Sequence, residues 1–106
     1  MWDKGEFDYF LNKPEIEQSR LIFKDSNLDE ARKFLSEIRR RLEDLDDWNR
    51  EEIKERIWEW SGEIGRGKVL HPMRMALSGK DRSPDPFVIS ENIGKDETLE
   101  RLSILE

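Results

Sequence analysis

Leu28, Ala31, Leu35, Ile38, Leu42 and Leu45 follow one another at alternating steps of three and four residues, which predicts a helix over residues 27–45 with one apolar seam. Asn27 stands where an N-cap belongs and Glu30 follows it at the third helical position, a pair of the capping-box type. A second seam, Ile53, Ile57, Trp60 and Ile64, predicts a helix over residues 48–65, with Asn49 as its cap, Glu52 at N3 and Trp48 stapled onto Ile53. Trp58 falls about 200° around the axis from Trp60, so it belongs to a different neighbour, the N-terminal segment or an interface, and Gly62 one turn later leaves room beside it. Gly65 and Gly67 end this helix. The short link at residues 46–48 predicts that the two long helices pack antiparallel, with Leu35, Ile38, Leu42, Ile53, Ile57 and Trp60 buried between them.

After Gly67 the punctuation changes. Residues 69–78 read as a short helix opened by Pro72, whose missing N–H is harmless in a first turn, and closed by Gly79. A loop over residues 80–86 leads into a second short helix, with Ser83 or Asp85 as N-cap and Pro84 or Pro86 at N1, carrying Phe87, Ile89 and Ile93 and stopping at Gly94. A terminal helix over residues 95–105 offers Leu99, Leu102 and Leu105 to the core. Upstream, Trp2, Phe7, Tyr9, Phe10 and Leu11 are too apolar for a free tail and read as cover for one end of the bundle, a nucleotide-stacking surface being the alternative. Pro14 favours a turn into a short helix through Ile16, Leu21, Ile22 and Phe23. The fold class is all-α, a small bundle of two long antiparallel helices and three short C-terminal ones.

Composition limits the chemistry. A chain of 106 residues with 35% hydrophobic content supports one domain and a thin core. It has no cysteine and one histidine, His71, so no disulfide, thiolate zinc site or histidine metal site is expected, and no cofactor in this chain. No apolar run nears the roughly 20 residues of a membrane span and no leader pattern is seen, so the expectation is a cytoplasmic protein without membrane contact. Carboxylates are scattered rather than paired, and Gly65-Arg66-Gly67-Lys68 lacks the spacing of a phosphate-binding loop, so no catalytic site is read in this chain.

Charge locates the candidate surface. The formal net charge is -6, and the first 60 residues carry -5 of it. Against that background Arg66, Lys68, Arg74, Lys80 and Arg82 stand with the single acid Asp81 between them, an island suited to an anionic partner. The Arg39, Arg40, Arg41 run is different, because Glu37, Glu43 and Asp44 surround it, and it reads as a self-paired, solvated helix face. Net acidity and the four tryptophans suggest a second reading, a helical protein–protein interaction module without RNA binding.

The run HPMRMALSGKDRSPDPFVISENIGKDETLERL resembles the final segment of bacterial glutamyl-tRNA synthetases, whose pattern is roughly PLR-x-AL-TG, then SPG-x-F-E-I, then LGKE-x-x-L-x-RL. Pro72, Arg74, Ala76, Leu77, Gly79, Ser83, Pro84, Phe87, Ile89, Gly94, Lys95, Leu99, Arg101 and Leu102 keep that spacing, and YFLNKPEIE is similar to the segment that enters the last domain. The resemblance implies a segment over residues 1–24 arriving from a preceding domain and an anticodon-binding domain over residues 25–106. It also implies a parent ATP-dependent glutamate-tRNA ligase of class I, whose HIGH-like and KMSKS-like motifs are not in this sequence. The implied partners are the anticodon loop of a glutamate-type tRNA and the upstream catalytic and helical domains of the same synthetase, in a monomer. By resemblance Arg74, Ser83, Pro84, Asp85, Pro86 and Phe87 enclose anticodon bases, and Lys68, Lys80 and Arg82 are expected to neutralise phosphates. Asp85 and Pro86 stand where the family usually has glycine and leucine.

Overall fold

Two asparagines start the two long helices. Asn27 and Asn49 lie in extended backbone, and their side chains accept the amides of Glu30 at 2.9 Å and Glu52 at 3.0 Å, which satisfies one orphan donor at each helix start. The helices that follow are α1, Leu28–Glu43, and α2, Arg50–Ile64. The computed structural model describes residues 16–23, 26–80 and 85–106. The expected end cover by Trp2, Phe7, Tyr9, Phe10 and Leu11 lies outside the described residues. Leu45 lies two residues beyond α1 and is buried all the same. A 3-10 turn, Gln18–Leu21, precedes α1 and buries Leu21.

The third helix departs most from the expectation. α3 runs Arg66–Ser78, so it begins six residues before Pro72 and carries that proline in its interior. Gly65 alone makes the turn out of α2, at φ 136°. An interior proline costs about 3 kcal/mol in an isolated helix. Here it is offset by burial, since Val69, Pro72, Met73, Met75, Ala76, Leu77 and Ser78 are all covered. Gly67, expected to break the chain, sits in the first turn of α3, where a Cβ would lie 3.1 Å from the Phe23 ring. Every other described helix and the 3-10 turn pack on α3, which makes it the hub of the domain.

α3 closes at Gly79 in the left-handed conformation, φ 72°. Asp85 then caps α4, Pro86–Ile93, with Pro86 at N1, and Gly94 at φ 90° separates α4 from α5, Lys95–Arg101. The terminal helix therefore stops at Arg101 rather than at residue 105, and Leu102 is buried while Leu99 and Leu105 pack partly covered at the edge of the core. The architecture is all-helical, and no strand occurs among the described residues. No helix there is long and apolar enough to cross a membrane.

Leu35, Ile38, Leu42, Ile53 and Ile57 are buried as expected. Trp60 and Ile64 are not: Trp60 is half-buried under the Arg41 guanidinium, 4.8 Å from its ring centroid, and Ile64 is 43% exposed. The reason lies in the direction α2 faces. It packs more heavily on α3 and α4 than on α1, which buries Ile53, Ile57 and Ser61 and turns Ile64 outward. Trp48 likewise serves α4, donating its Nε1–H to the Ser90 carbonyl at 2.8 Å, and Gly94 and Thr98 donate to the same oxygen.

Candidate nucleic-acid interface

Arg74 lies on α3 one turn before its end, on the side that faces α2 and the 3-10 segment. It lines a pocket of about 270 Å³ together with Phe23, Trp58, Arg66, Gly67, Leu70 and His71. Its Nε is buried without a hydrogen-bond partner, and no carboxylate pairs with its guanidinium among the described residues. A buried donor left unmet costs about 1–3 kcal/mol, so this group is poised for an acceptor. His71 fixes the floor of the pocket. Its Nε2 stands 2.9 Å from the Arg20 carbonyl, and because a carbonyl only accepts, Nε2 carries the proton; its ring meets Phe23 at 5.4 Å. His71 thus ties the N-terminal segment to α3.

Trp58 forms the opposite wall. It is 39% exposed, meets Phe87 edge-on at 6.5 Å, and carries the Arg66 guanidinium 3.8 Å and the Lys54 ammonium 4.5 Å from its ring centroid. From sequence Arg66 stands in the basic island without a role of its own, and the signal for Trp58 is its offset from the α2 seam.

The remaining sequence-derived residues divide into groups. Lys68 sits 3.5 Å from Glu30, a half-exposed pair between α3 and α1. Lys80 follows the α3 terminus, where its N–H donates to the Ser78 hydroxyl at 3.0 Å. Phe87 is 1% exposed and Pro86 is buried, so both are packed into the first turn of α4 rather than presented on a surface. Ser83, Pro84 and Arg82 lie outside the described residues.

Asp85 is fully engaged. Its Oδ1 accepts the Phe87 N–H at 2.7 Å and its Oδ2 meets Arg50 at 3.2 Å, so the carboxylate caps α4 and is partly neutralised by α2. Asp85→Ala should cost about 1 kcal/mol and lower the melting temperature by roughly 4–8 °C, whereas Asp85→Asn, which keeps the cap, should lose much less. Thermal melts of the two variants check this; equal losses would show that the Arg50 pair, not the cap, is what matters.

The three consecutive arginines of α1 form a separate, self-neutralised face. Arg40 and Arg41 both donate to Glu37, and Arg39 pairs with Glu43 and Glu106. The hydrogen bond from Arg40, aided by its charge and by Arg41, holds the Glu37 carboxyl below its ordinary value. That stabilisation is present above the usual glutamate range and fades as pH falls through the depressed value.

Planar rings beside guanidinium groups, held here on an all-helical frame, match the chemistry that unpaired bases require. The chain belongs to the anticodon-binding domain family, whose model matches residues 4–105. It is similar to the glutamate–tRNA ligase of Christiangramia forsetii, 33% identical over 105 residues, which covers 95% of this chain and 20% of the relative. The glutamate–tRNA ligase of Clostridium botulinum strain Loch Maree is 38% identical over 104 residues, covering 93% of the chain and 21% of the relative. That of Flavobacterium johnsoniae is 32% identical over 103 residues, with 95% and 20% covered. The chain spans about a fifth of the length of these curated relatives.

Proposed function

We propose that this domain recognises the anticodon loop of a glutamate-type tRNA as part of a glutamate-tRNA ligase. The carrying observation is Arg74: a guanidinium with a buried, unmatched Nε on the wall of an aromatic pocket, in a chain of the anticodon-binding family. A nucleotide entering the pocket would stack its base on the guanidinium plane and supply the missing acceptor through a base carbonyl or phosphate oxygen. Ser83 and Pro84 would enclose the bases, with Pro86 and Phe87 packed beneath them at the start of α4 and Asp85 holding that start in place. Lys68, Lys80 and Arg82 would lie along the backbone. Aminoacylation, with its ATP chemistry, would take place in catalytic and helical domains of the parent protein. In this reading residues 1–24 connect those domains to the module at residues 25–106, and the enzyme is a cytoplasmic monomer with no membrane contact and no cofactor in this part.

Arg74→Ala should weaken binding of the cognate anticodon stem-loop by about tenfold, since one base-stacking contact is worth roughly 1–3 kcal/mol, and leave the melting temperature near that of the parent. Affinity should fall with salt at a log–log slope of roughly -2 for three phosphate contacts at about -0.7 each. The measurement is a titration of the cognate stem-loop against one with a changed anticodon at two salt concentrations. Equal affinity for the two loops, or undiminished discrimination in Arg74→Ala, would favour a protein interaction module instead.

A further inference from the structure

We propose that Arg66, stacked on Trp58 and seated in a notch at Gly62, holds the backbone phosphate of the nucleotide whose base stacks on Arg74. This rests on the anticodon-loop reading above and adds to it a phosphate-binding residue. Three observations build the seat. The Arg66 Cζ lies 3.8 Å from the Trp58 ring centroid, and Nη2 donates to the Trp58 carbonyl at 3.3 Å. A Cβ at position 62 would lie only 2.6 Å from that same Nη2, so the guanidinium occupies space that exists because residue 62 is glycine.

The seat leaves the charge unspent. A guanidinium has five N–H donors, of which one bond goes to the Trp58 carbonyl, and no carboxylate pairs with Arg66 among the described residues. Lys68, the neighbouring candidate, stands 3.5 Å from Glu30 and would have to leave it. A long cationic side chain normally loses rotamer freedom when it engages a ligand; stacking has already ordered this one. Arg66 and Arg74 line the same pocket of about 270 Å³. Ligand pockets run to roughly 300–1,000 Å³, so this smaller, open hollow has room for about one base, with one guanidinium for its ring and the other for its phosphate at the rim.

The test is a titration of the chain with the cognate anticodon stem-loop, followed by the arginine Nε–H and tryptophan indole resonances, with affinities taken at two salt concentrations. With Arg66 as a fourth phosphate contact the parent slope steepens to roughly -2.8, and Arg66→Ala should melt with the parent, bind about tenfold more weakly and return the slope to roughly -2, a change of about 0.7 for one phosphate on a single strand. Arg66→Lys should keep the parent slope but regain only part of the affinity, because an ammonium lacks the planar fork that stacks on the indole. Gly62→Ala should melt no lower than the parent, alanine being the better helix former, yet weaken binding about threefold by displacing the guanidinium. Arg66→Ala with unchanged affinity and slope, while Arg74→Ala still loses discrimination, would overturn the phosphate role and leave the anticodon reading standing. Equal binding of cognate and changed loops by the parent chain, or no shift of either resonance, would overturn both.

Discussion

Arg101→Ala should lower the free energy of unfolding by about 3 kcal/mol, measured by denaturant or thermal melts. Arg101 is the largest fully buried side chain among the described residues, at 1% exposure, and its Nη1 donates to the Leu77 carbonyl at 2.8 Å while its Nε meets Glu97 at 3.0 Å. Leu77 stands in the last turn of α3, where carbonyls lack an intrahelical donor and the helix dipole is negative, so a cation placed there satisfies both the oxygen and the field. Alanine would leave the carbonyl unmet and a cavity between α3 and α5. Arg101→Met should recover part of the loss by filling the volume without the hydrogen bond. A methionine variant as unstable as the alanine one would place the whole effect on the capped carbonyl; an alanine variant within about 0.5 kcal/mol of the parent would sink the role altogether.

Leu42→Ala should cost about 2–5 kcal/mol, a large part of the roughly 5–15 kcal/mol that stabilises a domain. Leu42 is completely buried in the cluster that joins α1 to α2 and α3. Truncating it removes both transfer free energy and packing that the helices cannot collapse to replace. Ile64→Ala is the matched control, because Ile64 is 43% exposed and should change stability by no more than about 0.5 kcal/mol. Comparable losses for the two variants would mean that the seam of α2 extends further than its packing suggests.

The local signals in this chain were legible because each is settled within a few residues. Asn27 and Asn49 cap their helices through the amide three positions on, Gly79 and Gly94 stop theirs in backbone that glycine adopts readily, and the three-and-four spacing of Leu28 to Leu42 marks one face of α1 whatever lies opposite. The self-pairing of Arg40 and Arg41 with Glu37 follows from the same helical spacing. Arg74 was visible by its motif.

What only the tertiary structure decided are relations between distant residues. Periodicity marks a stripe on α2 but not its partner, and the packing of α2 on α3 and α4 is what left Trp60 half-covered and Ile64 outside. Burial on several sides let α3 run through Pro72, overriding a local rule, because covering most of one helix outweighs a missing hydrogen bond. Arg101 reads as one more charged position on a terminal helix until α5 lies across the end of α3. The site itself is assembled the same way: Trp58 comes from α2, Arg66 and Arg74 from α3 and Phe23 from the segment after the 3-10 turn, and their meeting depends on how those parts dock, which no spacing within one helix encodes.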